Sequence, residues 1–253
     1  MSLHPPAGSS VTAGRPSYPA ASSALEAAFR ADRIQGLDFL RALAVSMVML
    51  GHAMEGRADL PVPMGPLSGL GVKVFFVLSG FLITRLLQDE IDRHGSIDFF
   101  KFYRRRIARL MPVFYLYLAI SMTALWVRGK PIPWDAVGAA VFYVVNYYQA
   151  FTGAQTNIVS HCWSLAVEEQ FYMLWPLLIA ALHARRKNIA TALVAVVLGV
   201  WCWRLYLLLY TDTSVDYLYR ALDTRADELA VGCLLAVLMR SQVWRDRLFA
   251  VTR

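Results

Sequence analysis

The chain has 253 residues, of which 57% are hydrophobic and 17% are charged. A soluble domain of this length buries far less apolar surface, so the composition excludes an ordinary soluble protein and predicts several membrane-spanning segments. The formal net charge is +7, but the Lys and Arg residues lie between apolar stretches. Membrane topology and anionic lipid head groups account for them there, so we expect a lipid bilayer and no nucleic acid as partner.

Two regions are predicted along the chain. Residues 1–33 are rich in Pro, Ala and Ser without a long apolar run, which predicts a disordered tail without a cleavable signal peptide. Residues 34–253 are predicted to form one all-α domain, a polytopic bundle of transmembrane helices. Its seven hydrophobic segments are 37–54, 70–87, 110–127, 134–151, 162–182, 189–210 and 225–239.

Charge predicts the orientation of these segments. Basic residues precede the first segment and fill the loop 88–109 after the second, which places the N-terminus and this loop in the cytoplasm. Strict alternation through seven segments would put the basic loops at 185–187 and 240–253 outside. We therefore expect that one segment between 134 and 182 is re-entrant, because polar residues interrupt the apolar runs there.

The first segment carries an arginine and a histidine eleven residues apart, Arg41 and His52. Eleven helical steps return to within about 20° of the starting direction, so both side chains are predicted to face the same interior. An arginine suits an anionic ligand, and a neutral imidazole can accept a proton near pH 7. Alternatively, Arg41 pairs with Asp38 and His52 caps the helix.

The second segment contains the small residues Ser79, Gly80 and Thr84. Small side chains let another helix or a ligand approach closely, so this run is interpreted as a packing surface. Lys73 in the same apolar run either extends to the membrane interface or has a functional role.

A basic run leads into the third segment. Arg106 and Arg109 are three residues apart, so they share a helical face and could bind phosphate oxygens together. The alternative is a positive-inside signal that contacts lipid head groups.

The fifth segment begins with ionisable residues. An acid at the centre of a bilayer costs roughly 2.5–3.5 kcal/mol on insertion scales, so such residues usually bind or react with something. His161, Ser164, Glu168 and Tyr172 follow helical spacing and are predicted to line one stripe that faces a cavity, with Glu169 beside it. The alternative is that a lone buried acid is a structural hydrogen-bond partner.

The cysteines do not indicate a metal centre. The chain has three, Cys162, Cys202 and Cys233, of which the last two lie in apolar segments. Without paired spacing they predict neither a disulfide framework nor a zinc site, and no metal cofactor is expected.

Together, these motifs resemble the acyltransferase 3 family over residues 36–240. The order is Gly-Leu-Asp-x-Leu-Arg with a histidine eleven residues after the arginine, Phe-Phe-x-Leu-Ser-Gly-Phe-Leu-Ile-Thr, Arg-x-x-Arg before Pro-x-x-Tyr, and Trp-Ser-Leu-x-x-Glu-Glu-Gln-Phe-Tyr. The resemblance implies a membrane enzyme, expected in a bacterial inner membrane. Such an enzyme moves an acyl group, commonly acetyl from acetyl-CoA, to a hydroxyl of a carbohydrate or another cell-envelope or secreted acceptor.

The resemblance also implies roles for individual residues. It makes Arg41 and His52 an essential pair, links Arg106 and Arg109 to donor handling, and matches Glu168 to the acid of the Ser-Leu-x-x-Glu motif. Because a donor with phosphate groups needs a positive site, we expect all three arginines to bind the donor. From the chemistry of acyl transfer we expect His52 to act as general base, with Glu168 orienting or charging it or holding the acceptor. Accessory or acceptor-binding roles are expected for the remaining polar residues of the fifth segment, His161, Ser164, Glu169 and Tyr172, with Ser164 also considered as a transient acyl carrier.

Two alternatives to an active enzyme stay open. A transporter or flippase could use intramembrane His, Glu and Arg residues as a proton or anion path. Members of the family usually have about ten spans, so the C-terminal helices are expected to be missing. That expectation allows an inactive remnant that scaffolds a partner.

Overall fold

A computed structural model describes residues 35–54, 65–154, 158–185, 188–244 and 247. The tail predicted for residues 1–33 lies outside the described residues. The chain divides into two compact units, residues 1–38 and 39–253. Of the first unit, the described part is residues 35–38, the first turn of a helix.

Regular structure in the described ranges is entirely helical, and five helices are long and apolar enough to cross a membrane. The predicted helical membrane bundle is therefore confirmed. The helices are α1 (Gln35–Ala53), α2 (Gly65–His94), α3 (Phe99–Val127), α4 (Trp134–Val141), α5 (Val145–Thr152), α6 (Cys162–Ala184), α7 (Ile189–Tyr210), α8 (Val215–Arg220) and α9 (Leu222–Arg240). The five candidate spans are α1, α2, α3, α6 and α7.

Helix α2 lies at the centre of the bundle, with 56% of its apolar stretch buried. Helix α9 runs parallel to it, because Arg240 at the end of α9 lies 3.4 Å from Asp89 near the end of α2, and the two helices meet at two glycines. A Cβ on Gly80 would overlap the carbonyl oxygen of Leu229, and one on Gly232 would overlap that of Val77. The absence of side chains at these positions lets the two backbones touch.

Helix α6 also runs parallel to α2. Near its start, Trp163 packs edge-on against Phe76. Further along, Trp175 Nε1 donates a hydrogen bond to Thr84 Oγ1 at 2.9 Å. Both contacts bury aromatic surface, and the second also satisfies the polar atom of the Trp175 indole.

Helix α3 runs antiparallel to α6. Near the start of α3, the Tyr103 hydroxyl donates to the Met173 carbonyl at 2.8 Å. Near the other end, the Tyr117 hydroxyl donates to the Ile158 carbonyl, just before α6.

Helix α1 runs antiparallel to α2, because Gly71 lies against Ala44 and Gly51 lies against Ser68. Helix α7 runs antiparallel to α9, because Trp203 hydrogen-bonds Asp223 and Trp201 hydrogen-bonds Asp227. These directions give every long helix a defined orientation along the bundle.

One end of the bundle therefore collects the first residues of α1, α3 and α7 and the last residues of α2, α6 and α9. This basic end carries Lys101, Arg104, Arg105, Arg185 and Arg240. The opposite end carries α8 and the start of α6. Arg128 and Lys130, just after the end of α3, lie at the opposite end, and the assignment of the basic end to the cytoplasm stays a prediction.

The predicted segment 134–151 is two short helices rather than one span. Each has eight residues, which is about 12 Å of helix against a hydrocarbon core of about 30 Å. Between them, Tyr143 has a φ of 55°, a left-handed conformation that ends a helix. Asn146 and Gln149 are fully buried in α5. Neither short helix is among the candidate spans, which agrees with the expectation of a non-crossing segment between 134 and 182, and re-entry itself stays a prediction.

Candidate active site

A cavity of about 740 Å³ lies among α1, α2, α3 and α6. Its wall on α3 extends from Phe102 to Tyr117. Fifteen helical positions cover about 22 Å, which is most of the thickness of a hydrocarbon core. The cavity therefore runs along the helices from the basic end toward the opposite end.

The predicted polar stripe of α6 faces this cavity. His161, Ser164, Glu168 and Tyr172 all line it. Their spacing of three or four residues keeps them on one side of the helix, so a purely local pattern was sufficient to predict the shared face.

Glu168 is the most constrained member of the stripe. Its carboxylate is buried, and its Oε1 accepts hydrogen bonds from the Ser79 hydroxyl and from the Tyr172 hydroxyl, the latter at 2.6 Å. Both donors use the same oxygen, so Oε2 is left for another partner. Sequence analysis interpreted Ser79 only as a packing residue, and the 89 residues between the two partners leave no local signal for this bond.

Glu169 points to a different neighbour, Arg106 on α3. Arg106 Nε lies 3.1 and 3.2 Å from the two carboxylate oxygens of Glu169, and Nη2 lies 2.7 Å from Oε1. The same guanidinium stacks over the Tyr172 ring at 3.2 Å from its centroid. Arg106 thus links α3 to α6 while it lines the cavity, and it is more restrained than sequence analysis expected.

Three further arginines line the cavity, namely Arg41, Arg105 and Arg109. Arg105 lies 3.9 Å from Glu90. Within the described ranges, no acidic side chain is within ion-pair distance of Arg41 or Arg109. Arg106 and Arg109 do share the cavity-facing side of α3, as predicted, and Arg105 is an addition that the three-residue spacing did not indicate.

His52 departs from the expected arrangement. Arg41 lines the cavity, but among the described residues His52 is not part of its wall. The His52 ring is exposed, and its Nδ1 donates to the Val48 carbonyl at 2.8 Å. This bond turns the ring back along its own helix, so helical phase alone did not place the histidine in the same interior as Arg41.

His161 lies close to His52 at the far end of the cavity. Partial desolvation and the nearby His52 ring lower the pKa of His161 below its ordinary value of 6.5. The His161 ring also meets Tyr117 edge-on, with centroids 5.3 Å apart. Two imidazoles, one of them in the cavity wall, are therefore available at this end.

His52 and Glu168 are not at the same depth. Gly51 packs at the level of Ser68, whereas Glu168 is bonded to Ser79. Eleven helical residues separate these levels, which is about 16 Å along α2. The expectation that Glu168 orients or charges His52 directly is therefore not supported by this geometry.

Metal ligation has no obvious site in the described ranges, because they contain no group of three or more His, Cys, Asp or Glu residues able to hold an ion. All three cysteines are free, with Cys162 and Cys233 buried and Cys202 exposed. The described lining of the cavity offers imidazole, carboxylate, hydroxyl, thiol and guanidinium groups.

Residues 34–250 match the family model described as an acyltransferase domain, acyltransferase 3. The chain belongs to the acyltransferase 3 family. The O-acetyltransferase OatA of Staphylococcus aureus (strain NCTC 8325 / PS 47) is 35% identical over 227 residues, which cover 84% of this chain and 36% of that relative. The peptidoglycan O-acetyltransferase OatA of Listeria monocytogenes serovar 1/2a (strain ATCC BAA-679 / EGD-e) is 32% identical over 220 residues, covering 80% of this chain and 33% of that relative.

This acyltransferase 3 chain therefore spans about one third of the length of these curated relatives. No solved structure gives a significant match. The resemblance stated from the motifs is confirmed, and the cavity brings together residues from all four motifs that carried it.

Proposed function

We propose that this chain is the membrane domain of an O-acyltransferase that moves an acetyl group from acetyl-CoA to a hydroxyl of a cell-envelope carbohydrate. The names of the relatives support acetyl as the acyl group, and the name of the Listeria protein supports peptidoglycan as the acceptor. The observation that carries the proposal is one cavity lined both by arginines and by the His161, Ser164 and Glu168 stripe.

The arginines suit a donor that carries phosphate groups. Guanidinium groups bind phosphate oxygens through paired, charge-assisted hydrogen bonds. Arg41 and Arg109 line the cavity, and neither has an acidic partner among the described residues, so both are placed to contact an anion there. If these arginines bind the phosphates of the donor, the extended arm of the donor would lie along the cavity toward the end that carries the histidines.

His52 is the proposed general base. Because its Nδ1 donates to a carbonyl, the neutral ring keeps an unprotonated Nε2 that can accept a proton. In the proposed step Nε2 takes the proton of the acceptor hydroxyl as the hydroxyl oxygen attacks the thioester carbonyl. A carbon–oxygen bond forms, the carbon–sulfur bond breaks, and the thiolate of coenzyme A leaves.

Glu168 is proposed to act on the bound ligands rather than on His52. Its Oε1 is occupied by Ser79 and Tyr172, so Oε2 would accept a hydrogen bond from the donor arm or from the acceptor. Ser164 lines the cavity one turn away and is proposed to contact the acceptor.

Reconstitution of the purified chain in lipid vesicles tests this function. Acetyl-CoA with a radiolabelled acetyl group is added outside, and vesicles are loaded with chitotetraose, a soluble N-acetylglucosamine oligomer. Wild-type protein is expected to produce labelled oligosaccharide, and the Glu168→Gln variant much less. Label that enters as intact acetyl-CoA would instead favour a transporter. If wild-type and variant both give only the background of empty vesicles, the proposal fails for this chain.

A further inference from the structure

A second group of buried charges lies at the opposite end of the bundle, at the start of α9. The Arg225 side chain is 6% exposed, and its Nη1 lies 2.9 Å from Glu228 Oε1. Arg225 Nε and Nη2 have no hydrogen-bond partner among the described residues, and neither does Glu228 Oε2. Buried polar atoms are rarely left unpaired in native proteins, so these three atoms need a partner.

Two aromatic rings border this ion pair. The Arg225 guanidinium carbon lies 4.9 Å from the centroid of Tyr219 and 5.8 Å from that of Trp163. The two rings are themselves 5.0 Å apart. Trp163 is buried, whereas Tyr219 is 36% exposed, so the aromatic pair connects the buried charges to the surface.

The unpaired atoms indicate what class of ligand would fit. Arg225 offers unused donors and Glu228 offers an unused acceptor. A metal ion would be repelled by the guanidinium, and an anion would be repelled by the carboxylate. A sugar hydroxyl both donates and accepts, so it can satisfy both groups. The aromatic rings add an apolar surface with a polar edge of the kind that suits a sugar ring.

The position of the group relates it to the cavity. Trp163 lies between Cys162 and Ser164 on α6, and both of these neighbours line the cavity. The aromatic pair and the far end of the cavity are therefore on either side of the first turn of α6. A sugar held at the aromatic pair would be within a short distance of an acyl group that reaches this end.

We propose that Arg225, Glu228, Trp163 and Tyr219 bind a sugar ring of the carbohydrate acceptor. That the bound sugar is the acyl acceptor rests on the proposed function, whereas sugar binding at this site does not depend on catalysis. The aromatic rings are the platform, and the ion pair hydrogen-bonds the ring hydroxyls. The assignment adds a recognition site that is separate from the arginines proposed for the donor.

Direct binding of chitotetraose to the full chain in detergent tests the site. Arg225→Lys keeps the charge beside Glu228 but loses the planar fork of donors, and Tyr219→Ala removes the exposed ring. Each is expected to weaken binding at least tenfold, with acetyl-CoA binding unchanged. Arg204→Lys is the matched control. Arg204 lies on α7 and pairs with Asp227 on α9, the helix that also carries Arg225 and Glu228, but it does not belong to the proposed site. This variant should bind the sugar as the wild type does.

The outcomes separate the two proposals. If the wild type does not bind chitotetraose, or if both variants bind it as well as the wild type while their Tm falls, the ion pair is only structural and the sugar site is wrong. If the variants lose sugar binding but the wild type transfers no acetyl group, the sugar site stands and the proposed function fails. If acetyl transfer occurs and the acceptor KM is the same in all variants, the function stands and the site is refuted.

Discussion

Glu168 and Glu169 are adjacent carboxylates with different surroundings, and paired substitutions can separate their roles. Glu168→Gln keeps the shape of the side chain and removes its charge. The amide oxygen can still accept from Ser79 and Tyr172, the two donors that bond to Oε1 in the native protein, so we expect little loss of stability. The second carboxylate oxygen, Oε2, is replaced by the NH2 of the amide. If Oε2 makes one charge-assisted hydrogen bond to the ligand, its loss costs about 1.5–3 kcal/mol, or roughly 10- to 150-fold in kcat/KM.

Glu169→Gln is expected to lower stability more than activity. It removes the acidic partner of Arg106, a pair with three contacts of 2.7–3.2 Å. The two side chains are 21% and 16% exposed, so the loss lies between that of a surface pair and that of a buried pair, about 1–3 kcal/mol in stability. Arg106 keeps its stacking on Tyr172, and kcat/KM should fall by less than about threefold.

Both variants are assayed for acetyl incorporation at matched protein levels, and thermal unfolding is measured on the same preparations. Glu168→Gln should lose activity with a nearly native Tm, whereas Glu169→Gln should lose Tm with most activity retained. Equal losses of activity, or a larger loss at Glu169, would show that the cavity-facing side of α6 has been assigned wrongly.

Four further predictions test the cavity and the bundle. Arg109→Ala should raise the donor KM by about 10- to 150-fold, since a charge-assisted contact contributes about 1.5–3 kcal/mol. Arg106→Ala should raise the donor KM and also lower Tm, because it leaves the partly buried carboxylate of Glu169 unpaired. Equal effects of the two variants on Tm would contradict this difference. His52→Ala should abolish acetyl incorporation while membrane extraction stays native, and full activity would refute the base. Gly80→Val should lower Tm by separating two backbones in contact, and a native Tm would contradict that packing. Because the pKa of His161 is lowered below 6.5, His161 stays neutral to a lower pH than an ordinary imidazole, so any loss of kcat/KM caused by its protonation should appear only below pH 6.5; a loss above pH 6.5 that disappears in His161→Gln would contradict this.

Local patterns predicted the parts of the site that lie on one helix. The stripe from His161 to Tyr172 and the shared face of Arg106 and Arg109 follow from helical periodicity, which depends only on neighbouring residues. The bonds from Ser79 to Glu168 and from Arg106 to Glu169 join residues 89 and 63 positions apart. Those contacts depend on how the helices pack, and no spacing within one motif encodes them.

Two departures have equally specific physical causes. Hydropathy predicted a span at 134–151, but the left-handed backbone of Tyr143 ends α4 and the buried amides of α5 have partners outside their own helix. Helical phase predicted a common direction for Arg41 and His52. It did not predict the bond from His52 to Val48, because a side-chain rotamer is decided by local hydrogen bonding rather than by the direction of the Cβ atom.

The contact of α2 with α9 holds one wall of the cavity in place. Backbones that touch at Gly80 and Gly232 cannot slide or rotate past each other without separating, so Ser79, and with it the orientation of Glu168, stays fixed. Only 11% of the apolar stretches of α1 and α3 is buried, and these helices carry Arg41 and Arg109. Under the proposed function, Arg41 and Arg109 would hold the donor from helices that carry neither Ser79 nor Glu168, so affinity for the donor and the placement of the acid would change independently of each other.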